Sequence, residues 1–248
     1  MNTAKNFRYL WKLMTVMNKS RVWLIPAAFF LVCCVLNLYG CLTDGSVEQI
    51  VKPSLMTLLC ATTLAYLYGR TGASGTDVAL LVTAQLFGFA GDTMLLGSGF
   101  IFFAGGIGFF LIGHVFYITL FGRTSLKGLK GWQWAAGIVG ALACAAALAF
   151  GIGVNGVMLA PMGIYALALM MLIFSTLMGV IRKGGCTWWI LLCGALLFTF
   201  SDSLIAVRNF GNLSPFMSGF GVMSTYLLAQ SLLAIGGVRL ILNRKNAR

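Results

Sequence analysis

The chain is poor in acids, in histidine and in charge of either sign. Of its 248 residues only 5 are Asp or Glu and one is His, and charged residues make up 9%. So little charge, beside 60% apolar residues and a mean hydropathy of +0.94, excludes an ordinary soluble domain. The lone histidine, His114, lacks a spaced partner, and the chain contains neither HExxH nor CxxC. An intramembrane zinc hydrolase, which needs about three such ligands, is therefore disfavoured, and no metal or cofactor is expected. A lipase-like GxSxG elbow is also missing, since Gly97-Ser98-Gly99 and Ser218-Gly219 do not complete one. The cysteines, Cys33, Cys34, Cys41, Cys60, Cys144, Cys186 and Cys193, are odd in number and fall mostly within apolar runs. They read as small core- or lipid-facing residues, not as a disulfide framework.

What the chain does have is a recurrence of apolar runs of about twenty residues, the length that crosses a bilayer as helix. The runs fall at 22–42, 54–70, 77–97, 100–120, 132–154, 157–180, 187–207 and 217–241. With no barrel-like alternation, they predict an all-α polytopic membrane protein of eight transmembrane helices. Residues 22–241 form one domain in this reading, between a basic segment at 1–21 and a basic tail at 242–248. The first run is too long for a typical signal-peptide core and is expected to be retained as a span.

The basic residues set an orientation. With a cytoplasmic N-terminus, the inner segments hold Lys5, Arg8, Lys12, Lys19, Arg21, Arg70, Arg123, Lys127, Lys130, Arg182, Lys183, Arg239, Arg244, Lys245 and Arg248. The outer segments hold Lys52 and Arg208 alone. The net charge of +12 is then a topology signal and a set of contacts to anionic headgroups; nucleic acid is not an expected partner. Both termini are expected in the cytoplasm. The short loops and the lack of appended domains favour a bacterial cytoplasmic (inner) membrane.

Against this background two acids stand out. Asp92 and Asp202 lie inside apolar runs, each after a small residue, in Gly91-Asp92 and Ser201-Asp202. A carboxylate at bilayer depth costs about 2.5–3.5 kcal/mol on insertion scales, so an intramembrane acid is a functional-site hypothesis. Phe87-Gly88-Phe89-Ala90-Gly91-Asp92 faintly echoes Phe198-Thr199-Phe200-Ser201-Asp202, and each Asp follows its span's start by the same interval. At helical rise both sit roughly 22 Å from the cytoplasmic face, in parallel spans, so they can face one cavity. A parallel 4+4 duplication would produce such an echo. Asp92 shares a helical face with Gln85 and Gly88, and Asp202 with Thr199 and Asn209. The alternative role for each Asp is to accept hydrogen bonds that only hold helices together.

Further candidates are weaker singly. His114 and Tyr117 share a helical face and suit a proton relay or substrate donor, or a bonded core pair; by depth His114 falls below the aspartates. Lys52 and Arg208 break the orientation rule; they either snorkel or hold a headgroup phosphate, with Arg208 suited to a bidentate grip. Tyr226 and Gln230, one turn apart, add an inward polar pair whose simplest role is helix–helix bonding.

Lys52-Pro53, Gly91-Asp92 followed by Leu95-Leu96, Gly105 with Phe109 and Gly113-His114 then Tyr117, Ser201-Asp202 followed by Ala206 and Arg208, and Tyr226 with Ala229-Gln230 together resemble the YhhN family of lysoplasmalogenase-like eight-span proteins. The resemblance covers about residues 22–241. It implies hydrolysis of the vinyl-ether bond of lysoplasmalogens (lysoplasmenylethanolamine or -choline) to a fatty aldehyde and glycerophospho-ethanolamine or -choline. It places the family's important acids at Asp92 and Asp202. Lys52, His114, Tyr117, Arg208, Tyr226 and Gln230 would then meet the lysophospholipid. Vinyl ethers cleave by proton delivery to carbon and capture of an oxocarbenium-like cation by water, work that two carboxylates can divide. Asp92 is expected to be the acid, because Ser201, Ser203 and Thr199 offer Asp202 more donors. A proton-coupled transporter of lipids or small molecules, and a non-catalytic scaffold, are the rival readings.

Overall fold

The computed structural model describes residues 21–43, 46–68, 70, 73–154 and 156–246. The basic residues at 1–20 and the last two residues of the tail lie outside the described residues. Eight long helices account for nearly all of what is described: α1 (Leu24–Leu42), α2 (Ser46–Tyr68), α3 (Gly75–Met94), α4 (Phe100–Ser125), α5 (Gly131–Ile152), α6 (Leu159–Lys183), α7 (Cys186–Phe210) and α8 (Val222–Asn246). A 3₁₀ turn, Gly156–Met158, leads into α6, and a π turn, Met217–Gly221, leads into α8.

Seven of the eight helices are long and apolar enough to cross a membrane. Their outer faces are lined with Ile, Leu, Phe and Val exposed to the surroundings, as lipid contact requires in an integral membrane protein. The exception is α3, which carries Asp77, Gln85 and Asp92. Those polar residues are all turned inward, with Leu81, Ala84, Gly88 and Gly91. The helix thus keeps its polar stripe out of lipid by packing against α2, α4 and α8.

Two boundaries differ from the sequence reading. The second helix begins at Ser46 rather than near 54, and Pro53 lies inside it. The charges of Glu48 and Lys52 hide its first two turns from a hydropathy count. Lys52 is consequently a buried residue within a helix, not an interfacial one at its start. The last span is divided, with the π turn preceding α8.

Most consecutive helices pack as hairpins, but α4 packs on α6 rather than on α5; α7 and α8 are the most enclosed, while α5 lies at the periphery with little of it buried. Where α3 starts and α4 and α8 end, a charged clamp closes the bundle. Asp77 accepts from Arg123 at 2.9 Å and from Arg244 at 2.8 Å. Arg244 also donates to Thr124 Oγ1 and to the Leu120 carbonyl, both at 2.7 Å. Arg182 donates to the carbonyls of Ser125 and Lys127 beyond the end of α4. These arginines therefore share one end of the bundle, as the charge pattern requires.

Candidate active site

Asp92 is held at the opposite end of α3 from the clamp. Gly91, just before it, lets the ring of Phe110 come so near that a Cβ there would lie 3.0 Å from it. Asp92 accepts a hydrogen bond of 2.7 Å from Tyr226 Oη on α8. Gln230 Nε2, one turn further on, donates to the same Tyr226 oxygen at 3.3 Å, and Tyr117 on α4 donates to Gln230 Oε1 at 2.9 Å. Gly88 leaves room beside this chain, since a Cβ there would meet Gln230 Nε2 at 3.3 Å. The four side chains Asp92, Tyr226, Gln230 and Tyr117 form one buried relay across three helices.

Asp202 has a different partner. Tyr165 on α6 donates its phenolic proton to Asp202 Oδ2, while Oδ1 is buried with no partner among the described residues. The hydroxyls that the sequence places round Asp202 are spent elsewhere. Thr199 donates to Ala195 O, Ser203 to Thr199 O, and Ser201 to Val222 O. Asn209 likewise donates to Ile205 O, within its own helix. The donor-rich environment expected for Asp202 is therefore not formed: Thr199 and Ser203 satisfy themselves on the preceding turn, and Ser201 is drawn to a carbonyl at the start of α8.

Between the two acids stand aromatic rings. Phe198 packs edge-on against Tyr226 and Phe110, with centroids 5.5 and 6.1 Å away. His114 sits 4.6 Å from Phe198 and 5.6 Å from Tyr165. Its Nδ1 lies 2.6 Å from the Phe110 carbonyl, which can only accept, so Nδ1 carries a proton. Its buried Nε2 has no partner among the described residues. His114 lies one turn beyond Phe110 along α4, and so beyond the level of Gly91 and Asp92.

Lys52 and Arg208 go to different places. Lys52 is buried and lies 3.6 Å from Glu48. Arg208, at the end of α7, donates to Ser218 O of the π turn at 3.4 Å. It lines a surface pocket of about 410 Å³ together with Asn209, Ser98, Gly97 and Phe103. Lys52 is not part of that lining. Asp202 borders two small voids of about 10 and 30 Å³, and Asp92 borders neither.

Tyr165 is the residue that sequence reasoning missed. It is the lone tyrosine on α6, on a buried stripe with Leu169, Leu172 and Thr176. A single phenol among aliphatic residues on an inward face was the available signal. Asn37 on α1 was missed too; it is completely buried and neither side-chain polar atom has a partner among the described residues.

A family model for the YhhN family matches residues 47–237, which includes every one of these side chains except Asn37. The chain belongs to the YhhN family. Among curated YhhN-like relatives, a mouse protein named lysoplasmalogenase TMEM86B is 29% identical over 227 residues, covering 88% of each chain. A human protein named lysoplasmalogenase TMEM86A is 30% identical over 193 residues, covering 74% of this chain and 73% of the relative. No solved structure matches the chain. The YhhN resemblance read from Asp92, His114, Asp202 and their neighbours is thus upheld over most of the chain.

Proposed function

We propose that this YhhN protein is a membrane hydrolase that cleaves the vinyl-ether bond of lysoplasmalogens, releasing a fatty aldehyde and glycerophospho-ethanolamine or -choline. The names of the curated relatives support the reaction class. The observation that carries the reading at the level of chemistry is Asp202. It is a buried carboxyl with one oxygen held by Tyr165 and the other unpartnered beside voids below the Arg208 pocket. An orphaned buried polar atom costs on the order of 1–3 kcal/mol, and such a cost is retained where a substrate will complete the site.

In this mechanism Asp202, rather than Asp92, delivers the proton. Asp202 enters protonated and transfers its proton to the vinyl carbon distal to the ether oxygen, leaving an oxocarbenium ion and the carboxylate. Water adds to the carbon attached to oxygen and gives its proton back to Asp202. The resulting hemiacetal collapses to aldehyde and the free glycerol hydroxyl, so the acid is regenerated. Asp92, anchored by Tyr226, favours the cationic intermediate. Arg208 holds the phosphate at the pocket mouth. His114 and Tyr165 shape the wall round the scissile bond, and Tyr117, Tyr226 and Gln230 fix Asp92. Lys52 belongs with Glu48 and Asp92, balancing charge there. The charge pattern supports cytoplasmic termini and an Arg208 pocket on the outer leaflet, and the short loops support a bacterial cytoplasmic membrane.

Mass spectrometry of purified lysoplasmenylethanolamine after incubation tests this in detergent. Wild type should release aldehyde without a membrane gradient; Asp202→Asn should release none while remaining folded. Full activity in Asp202→Asn would end the mechanism, and absence of any product with wild type would favour a transporter.

A further inference from the structure

The surface pocket and the two voids follow one another through shared walls. The 410 Å³ pocket with Arg208 shares Leu95 and Phe103 with the 10 Å³ void. That void shares Met162, Tyr165, Asp202 and Ala206 with the 30 Å³ void on the far side. The last is bounded by aliphatic residues of three helices: Leu148 and Ile152 of α5, Ala166 and Leu169 of α6, and Ala206 of α7. Asp202 thus lines both voids, and the series of shared walls runs between two regions that differ in chemistry. One end is polar, with Arg208, Asn209 and Ser98; the other is hydrocarbon-like.

We infer that the crevice between α5, α6 and α7 is the binding site for the single hydrocarbon chain of an amphiphile whose anionic head occupies the Arg208 pocket. This rests on the proposed reaction only for what happens at Asp202; the binding geometry is argued from the passage itself. A cavity of 30 Å³ holds little more than one water, so the chain enters as the crevice widens. Its movable wall is α5, which has the lowest buried share of the seven apolar spans, 12%. With Val139, Leu142 and Phe150 exposed on its outer side, α5 can yield toward lipid without stranding a polar group. One crevice accepts one chain. Ala166 on α6 sets its width near Asp202, because the neighbouring lining side chains Leu169, Met162 and Ile152 are all larger.

The test is binding of ester-linked lysophosphatidylethanolamines, which have no vinyl ether, to the full-length protein in detergent. Lauroyl and stearoyl forms are compared in wild type, Ala166→Phe, Leu148→Trp and Arg208→Gln, each checked for folding by thermal melting. Ala166→Phe should weaken the stearoyl ligand by about tenfold for every two methylenes excluded, with less effect on the lauroyl one. Leu148→Trp, which narrows the same crevice from α5, should repeat the pattern even if Ala166→Phe fails to fold. Arg208→Gln should weaken both chain lengths equally, and the loss should vanish for stearoyl glycerol, which lacks phosphate. Equal effects of the two crevice variants on both chain lengths, or none, would overturn the inference. Chain-selective binding together with no aldehyde from the vinyl-ether substrate would uphold the crevice and refute the reaction. Aldehyde release with no chain selectivity would do the reverse.

Discussion

Tyr165 on α6 and Asp202 on α7 are joined by a hydrogen bond through one carboxyl oxygen, while the other has no partner among the described residues. Asp92 also accepts from a tyrosine, Tyr226, but that phenol is itself backed by Gln230 and Tyr117. The two acids therefore differ in kind. Asp92 is built into a relay that ties α3, α4 and α8 together, whereas Asp202 is held through one oxygen, its other buried without a partner among the described residues.

Tyr165→Phe removes the one donor to Asp202 and keeps the ring that packs against His114. Aldehyde release should fall by about 10²-fold, the scale of losing a positioned acid–base partner. The melting temperature should drop only slightly, since the net worth of one hydrogen bond is about 1 kcal/mol. Unchanged turnover would make the tyrosine a packing residue.

Gln230→Leu cuts the relay at its centre. Tyr117 loses its acceptor and Tyr226 loses its backing, both inside the bundle. Tyr117 is left without its acceptor while Tyr226 keeps Asp92, so the fold should be destabilised by about 1–3 kcal/mol, the cost of one orphaned buried hydroxyl. Thermal unfolding in detergent checks this; a loss under about 1 kcal/mol would show that the phenols find other partners.

At the other end of the bundle, Asp77→Asn and Arg123→Gln should separate cleanly. The Asp77 side chain is 6% exposed and neutralises Arg244, itself 17% exposed, so Asp77→Asn leaves a mostly buried arginine uncompensated. The expected cost is about 3–5 kcal/mol. The Arg123 side chain is 47% exposed, and its removal should cost about 1 kcal/mol or less. Comparable melting shifts for the two variants would contradict the clamp as described.

Close helix approach gives a further check. A Cβ at Gly40 on α1 would lie 2.4 Å from the backbone nitrogen of Glu48 on α2, an atom that cannot rotate away. Gly40→Val should therefore spread α1 from α2 and lower the yield of folded protein by several-fold. At Gly108 a Cβ would meet no atom within 4 Å, and Gly108→Ala should have almost no effect on yield. Size-exclusion profiles of the two variants compare them directly.

Much of this molecule follows from one-dimensional pattern. Runs of apolar residues dictate membrane-spanning helices, because lipid leaves no other way to satisfy the backbone. Two acids among them mark a candidate site, because burying them is costly. The same logic misplaced the start of α2, where Glu48 and Lys52 mask a helix that continues through Pro53. What only the tertiary structure decided is the pairing of side chains across helices. Helical periodicity tells which residues share a face, yet it does not tell which neighbour that face meets. Hence Tyr165 went unnoticed, and the hydroxyls near Asp202 were counted as its donors when each bonds a backbone carbonyl. Faces are set by local geometry along one chain segment; partners are set by how rigid helices dock, and only the packed bundle contains that information.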